Sequence, residues 1–151
     1  VVILPYWKGR HPDHYTCSIL GYEACFLAGL AKLGMRGQGS EASASSAETL
    51  PPHRPFKIIY ATLYYDIRPT FVVDIGRQFE QKLASIFAYK SQFSDQEAGK
   101  DIFPAHDEIR ARVDSMARYY GMLGGVTHAE PFLQKEVGLV EDLLALPVKS
   151  I

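Results

Sequence analysis

An apolar run at the start of the chain constrains the fold more than any other feature. Residues 1–5, "VVILP", are mostly β-branched, as is typical of strands that a parallel sheet buries on both faces. After a short polar loop, residues 14–33 follow a helical pattern with an apolar stripe that begins at Ile19. Strand, loop and helix in this order are half of a βαβ unit. They predict an α/β fold in which ligands bind beyond the carboxyl ends of the strands.

A strand that is buried in a parallel sheet needs neighbouring strands, and none precedes residues 1–5 in this sequence. We therefore expect the chain to start inside a domain, with earlier strands and their helices absent. Residues 34–55 are rich in Gly, Ser, Ala and Pro and predict a flexible surface loop. Two closely spaced strands are predicted at residues 56–65 and 70–75, and they suggest a hairpin or an added edge. Two amphipathic helices are predicted at residues 76–89 and 106–120, and a short final strand at residues 126–132.

The composition excludes several classes of function. In 151 residues with 47% hydrophobic content, no apolar run approaches the roughly 20 residues that a membrane span needs. The net charge of -1 leaves no basic footprint for nucleic acid or anionic lipid, which favours a small, neutral or anionic ligand. Cys17 and Cys25 are eight positions apart on one predicted helix, roughly 12 Å, which is too far for a disulfide. Reduced thiols and the lack of a secretory signal indicate a cytoplasmic protein.

The loop after the first strand contains the segment His11-Pro12-Asp13-His14. Imidazoles bind divalent transition metals, and the proline stiffens the turn that carries them. Asp13 could be the N-cap of the following helix, the hydrogen-bond partner of a histidine, or both. The spacing alone also fits an ordinary turn, and Cys17, one helical turn after His14, is more typical of packing than of metal binding. A catalytic metal site usually needs three protein ligands, and these residues provide only one or two.

Three segments in this order, "VVILPYWKGRHPDH", "AYKSQF" and "GVTHAEPF", resemble the C-terminal two-thirds of the LmbE-like (PIG-L) N-acetylglucosamine deacetylase superfamily, and in particular its bacillithiol-biosynthesis branch. The resemblance implies a Rossmann-like, three-layer α/β fold with a mainly parallel sheet. Residues 1–151 would be the C-terminal portion of one such domain, with its N-terminal part missing. The implied activity is hydrolysis of the N-acetyl group of an N-acetylglucosamine conjugate, with N-acetylglucosaminyl malate as the expected substrate. One Zn²⁺ (or Fe²⁺) ion and a homo-oligomer, often a hexamer, are also implied.

The same resemblance implies roles for individual residues. His14 matches a metal ligand, His11 matches the histidine that stabilises the oxyanion or protonates the leaving amine, and Asp13 matches the carboxylate that tunes this histidine. Arg10 could recognise an anionic aglycone or could be an ordinary solvated arginine, and Glu130 could approach the sugar. The family's Ala-His-Pro-Asp-Asp motif, which supplies two further ligands and the general base, does not occur in this sequence.

Two alternatives remain open. The chain could belong to another amidase of the superfamily that acts on a mycothiol- or inositol-linked substrate. It could instead be a non-catalytic binding or assembly module in which the His11–His14 segment only caps a helix. In the deacetylase interpretation, the 151 residues alone are expected to be nearly inactive, because two ligands and the base are missing.

Overall fold

The computed structural model of the protein describes residues 1–31, 51–62, 67–93 and 104–148. Its elements are β1 (Val2–Pro5), α1 (Pro12–Leu27), β2 (Ile58–Ala61), β3 (Phe71–Asp74), α2 (Phe79–Phe87), α3 (Lys90–Phe93), α4 (His106–Gly124), β4 (Ala129–Leu133) and a single 3₁₀ turn at Leu143–Ala145. This alternation confirms the predicted α/β class. Most of the predicted loop at 34–55, up to residue 50, lies outside the described residues, as does the C-terminal end of the strand predicted at 56–65.

The described residues divide into two compact units. The first comprises Val1–Arg68 and Leu133–Glu136. In it, β1 pairs in parallel with β2, with Val2 opposite Ile58 and Pro5 opposite Ala61. The backbone N–H of Tyr6 donates to Ala61 O over 2.9 Å, so the ladder continues one residue past β1. Because α1 lies between two parallel strands in the sequence, this unit is the βαβ arrangement that the opening run predicts.

Helix α1 packs on β1 through small residues. Ser18 is buried, and a Cβ atom added at Gly21 would lie 2.5 Å from Leu4 Cδ2. The predicted apolar stripe does not form this contact within the described residues: Ile19 and Phe26 are exposed, and Leu20 is 65% exposed. The physical reason is that one helix face meets the strand, and the small side chains on that face allow a closer approach than the stripe would.

Within the described residues, β1 is covered on one face only, which agrees with the expectation that neighbouring strands are absent from this chain. Leu4, under α1, is buried, whereas Ile3 on the opposite face of the strand is 60% exposed. Successive side chains of a strand point to opposite faces, and α1 covers only one of them. The first unit therefore has two exposed apolar surfaces, one on β1 and one on α1.

The second unit comprises Pro69–Phe132 and Val137–Ile151, of which residues 94–103 and 149–151 are outside the described part. Here β3 and β4 are antiparallel, with Phe71 opposite Phe132 and their rings stacked at 5.6 Å. Strand β3 is therefore the added edge strand that the sequence suggests, and its partner in this pair is β4. The alternative suggestion, a hairpin between the predicted strands 56–65 and 70–75, is not the pairing that forms. Helices α2 and α4 bury a cluster of Ile75, Phe79, Leu83 and Ala117.

The C-terminal end of α4 turns tightly into β4. Gly125 caps the helix with φ of 70°, a conformation that glycine adopts without steric cost. A Cβ atom at Gly121 would lie 2.6 Å from Val126 O and 2.7 Å from Thr127 O, so only glycine allows this approach of backbone to helix. The tight return places His128 beside α4.

Candidate active site

The His11–His14 segment lies where the sequence predicts, between a strand end and a helix start. β1 ends at Pro5 and α1 begins at Pro12, so His11 is the last residue of the loop and His14 lies in the first helical turn. Proline is favourable at the first helical position because its missing N–H has no partner there in any case. The carboxyl end of β1 and the N-terminal end of α1 thus bring both imidazoles to one place.

The N-cap of α1 is His11 rather than Asp13, which corrects the prediction. His11 has an extended backbone (φ -93°, ψ 128°), and its Nδ1 accepts the backbone N–H of Asp13 at 3.3 Å. Pro12 disfavours the helical conformation for the residue before it, so the cap falls at residue 11. Asp13 lies in the first turn, where a negative charge interacts favourably with the helix dipole.

The second role that the sequence leaves open for Asp13, as hydrogen-bond partner of a histidine, stays a prediction, because its carboxylate lies near His11 but outside hydrogen-bond distance. Asp13 Oδ2 lies 3.6 Å from His11 Nδ1, and the two side chains are 84% and 61% exposed. Nδ1 can accept the Asp13 N–H only when it carries no proton, which places the proton of the neutral ring on Nε2.

His14 is held beside His11. Its backbone N–H donates to His11 O over 3.1 Å, and the two ring centroids are 5.4 Å apart with planes inclined by 37°. Arg10 is exposed one residue before this pair. The segment therefore presents a cation and two imidazoles together on the surface of the first unit.

The described residues do not complete the zinc site that the family resemblance implies. Within them, no group of three or more His, Cys, Asp or Glu side chains could hold a metal ion. Cys17 and Cys25 are free cysteines, as predicted, and Cys17 belongs to no such group in the described ranges. His14 and His11 supply imidazole nitrogens, but three protein ligands are usual for catalytic zinc.

Glu130 belongs to the second unit, where it forms an ion pair. Its Oε1 accepts a hydrogen bond of 2.6 Å from Lys82 Nζ, and both side chains are partly buried. Removing either partner would leave a partly buried charge without its counter-ion, which is costly. This contact gives Glu130 a structural role, and the predicted approach to a sugar stays a prediction.

The side chain of His128 contacts residues of α2 and α4. Its Nε2 is 2.9 Å from Asp114 Oδ1, and its ring stacks on Phe79 at 4.3 Å. Hydrogen bonds to Asp114 from His128 and then from Arg118 hold the pKa of that carboxyl below its ordinary value. The contacts tie the segment before β4 to α2 and α4.

The lowered pKa of Asp114 predicts an acid-dependent contribution to stability. The contribution is present above about pH 4, the ordinary pKa of an unfolded aspartate, and is lost as the pH falls through the lower folded value. Asp114→Asn should thus reduce the free energy of unfolding by about 1 kcal/mol at pH 7 and by less below pH 3. Urea unfolding at both pH values measures this, with Asp107→Asn, an exposed aspartate of the same helix, as the control. An equal loss at both pH values would contradict the assignment.

One group of contacts has no counterpart in the sequence motifs. Lys135 Nζ lies over the rings of Trp7, Tyr22 and Tyr60, within the first unit. No local pattern predicts it, because Lys135 is distant in sequence from all three aromatic residues.

The chain shares its fold with proteins of known structure, although no family model matches it. A conserved protein of Thermus thermophilus is 30% identical over 93% of this chain, with a TM-score of 0.65. N,N'-diacetylchitobiose deacetylase of Pyrococcus horikoshii, in complex with an inhibitor, is 25% identical over 87% of the chain, with a TM-score of 0.59. The 4-carboxy-2-hydroxymuconate hydratase of Pseudomonas putida is 16% identical over 94%, with a TM-score of 0.55, which shows a common fold only.

The chain spans about half of the length of these proteins, namely 54%, 43% and 54%. In the parts of the chain that the structure describes, no helix has the length and apolarity needed to cross a membrane. The likenesses establish an LmbE-like α/β fold and support the deacetylase superfamily, without distinguishing its bacillithiol-biosynthesis branch.

Proposed function

We propose that this chain is the C-terminal portion of a metal-dependent deacetylase domain that removes the N-acetyl group from an N-acetylglucosamine conjugate. The observation that carries the proposal is the pair of imidazoles of His11 and His14, between the end of β1 and the start of α1. The 25% identical deacetylase from Pyrococcus supports the reaction class.

The proposed reaction requires a proton donor and a stabilising charge. Water adds to the amide carbonyl, the C–N bond of the tetrahedral intermediate breaks, and acetate and a free amine are released. The carbonyl oxygen becomes negatively charged in the intermediate, and a preorganised cation or hydrogen-bond donor stabilises it. The leaving nitrogen takes a proton in the same step. A protonated His11 can serve both needs, with the Asp13 carboxylate 3.6 Å from Nδ1 as its counter-ion.

We assign His14 as one ligand of a Zn²⁺ (or Fe²⁺) ion. The family motif that is expected to supply two further ligands and the general base does not occur in this sequence, so we propose that these residues belong to another part of the domain. The exposed apolar surfaces of β1 and α1 support this assignment, because such surfaces are usually covered in a complete domain. The 151 residues alone would then have almost no activity.

The proposed substrate is N-acetylglucosaminyl malate, as in bacillithiol biosynthesis. Arg10 is exposed beside the imidazole pair and would bind the malate carboxylates. A cytoplasmic homo-oligomer completes the proposal: the free cysteines fit a reducing compartment, and the exposed leucines near the C-terminal end of the described chain, Leu139, Leu143 and Leu144, could form a subunit contact.

A substrate panel tests the proposed aglycone. For the complete protein, Arg10→Gln should raise KM about 10-fold for N-acetylglucosaminyl malate, the equivalent of roughly 1.4 kcal/mol for a hydrogen-bonded charge pair. KM for the neutral methyl glycoside should stay within twofold. Lys8→Gln, an exposed lysine of the same loop, is the matched control. An equal effect on both substrates would remove Arg10 from aglycone recognition, and a preference of the unmodified protein for diacetylchitobiose would place its substrate outside the bacillithiol branch.

A further inference from the structure

A lysine ammonium contacts three aromatic rings of the first unit. Lys135 Nζ lies 4.3 Å from the centroid of Tyr22, 5.1 Å from that of Trp7 and 5.1 Å from that of Tyr60. Tyr22 is on α1, Tyr60 is on β2, and Trp7 is in the loop that follows β1. All three distances are within the range of cation–π attraction.

The aromatic residues around this cation also contact one another. Trp7 meets Tyr60 edge to face at 4.7 Å and Tyr6 at 4.5 Å. Tyr60 is fully buried, and its hydroxyl has no hydrogen-bond partner among the described residues. Burial, and to a lesser degree the negative charge of Glu136, raises the pKa of Tyr60 to about 12. The phenol therefore stays neutral, and its attraction to the ammonium comes from the ring face.

No carboxylate within the described ranges forms an ion pair with Lys135; the ion pairs found there use other cations. The three rings are therefore the contacts that the structure gives to this charge. A cation that is held by several aromatic faces restricts the movement of each of them, because each contact depends on the distance to the same atom.

Two of the rings that Lys135 contacts belong to residues on either side of the His11–His14 segment in the sequence. Trp7 is four residues before His11, and Tyr22 is eight residues after His14, about two helical turns along α1. The same ammonium thus holds the chain on both sides of the His11–His14 segment. Gly9 lies within the loop and adds conformational freedom, so the position of His11 depends on how firmly Trp7 is held.

We propose that Lys135 is a positioning residue that fixes the loop before His11 and the helix after His14 by binding Trp7, Tyr22 and Tyr60. The anchoring of Trp7 stands independently of the enzymatic activity, whereas its consequence for catalysis rests on the proposed deacetylase function. Fluorescence quenching measures the anchoring of Trp7, and steady-state kinetics measures its consequence for catalysis.

The anchoring is tested by fluorescence quenching. Trp7 is the single tryptophan of these 151 residues, and in the complete protein a Trp7→Phe variant isolates its emission by difference. Lys135→Met keeps most of the apolar stem and removes the charge; it should increase the acrylamide quenching constant of Trp7 about twofold. Lys135→Arg should restore the original value, since a guanidinium also binds aromatic faces. Lys8→Met, one residue from Trp7 and outside the cluster, should leave quenching unchanged.

The catalytic consequence is tested by steady-state kinetics of the complete protein. Lys135→Met should lower kcat about 10-fold with KM within twofold, and Lys135→Arg should recover most of kcat. A purely structural role would lower the folded fraction and would not separate kcat from KM in this way. If Lys135→Met fails to fold, Tyr22→Leu takes its place, because Tyr22 is exposed, and Tyr22→Phe is then the variant that should retain both readouts.

Unchanged quenching in Lys135→Met, or in Tyr22→Leu where that variant takes its place, would overturn the anchoring. Increased quenching with unchanged kcat would overturn the positioning role. If the unmodified protein releases no acetate, the proposed deacetylase function fails, and the quenching result still decides whether Lys135 anchors Trp7.

Discussion

Replacement of His14 by alanine in the complete protein is expected to abolish deacetylation and to remove the bound metal. The expected fall in kcat/KM is on the order of 10³-fold, comparable to the loss of a principal electrostatic stabiliser of an acyl-transfer intermediate. The bound zinc, measured by elemental analysis of the purified protein, should fall from about one equivalent to a small fraction of one. The two readouts should change together.

The structure indicates that this variant can fold. His14 is exposed, and its backbone N–H donates to His11 O. Alanine keeps this backbone bond and favours the helix. His53→Ala is the matched control: His53 is an exposed histidine of the same unit, outside the motif, and its backbone N–H is bonded to Ala28 O. Retention of one zinc per chain in His14→Ala would remove His14 from the ligand set.

Replacement of His11 by asparagine should separate catalysis from helix capping. Asparagine is among the strongest N-cap residues, so the side-chain bond to the Asp13 N–H is kept while the imidazole is lost. If His11 stabilises the oxyanion or protonates the amine, kcat should fall by about 10²- to 10³-fold. The zinc content and the helical circular dichroism signal should remain those of the unmodified protein.

His11→Ala completes this comparison. It removes both the imidazole and the cap, so it should lose as much activity as His11→Asn and should also be less stable than that variant by about 1 kcal/mol, measured by urea unfolding. A His11→Asn variant with nearly normal kcat would mean that His11 serves only as a helix cap. That result would favour a non-catalytic role for the segment.

Local sequence patterns predicted the elements of the first unit because each pattern reflects a local cause. The β-branched run forms β1, and the proline before the helical pattern starts α1. Pro12 also decides a point that the sequence left open for Asp13: because the residue before proline is extended, His11 and not Asp13 is the N-cap. The usual ranking of capping residues favours aspartate, so the ranking alone did not exclude Asp13.

Burial was predicted less well, because it depends on what surrounds each element. The stripe of Ile19 and Phe26 has the spacing of a core-facing surface, yet Ser18 and Gly21 form the face that meets β1. Contacts between distant residues were not predictable at all. The pairing of Glu130 with Lys82 and the position of Lys135 over three rings arise from tertiary structure, and no local pattern encodes them.

The most direct test of the deacetylase proposal is the stoichiometry of products released from N-acetylglucosaminyl malate by the complete, zinc-loaded protein. Acetate is measured enzymatically and the free amine with an amine-reactive fluorophore in the same sample. The proposal predicts equal amounts of acetate and amine, in proportion to time and protein concentration. A folded protein with one bound zinc that releases neither product from this conjugate, from its methyl glycoside or from diacetylchitobiose would contradict the proposed function.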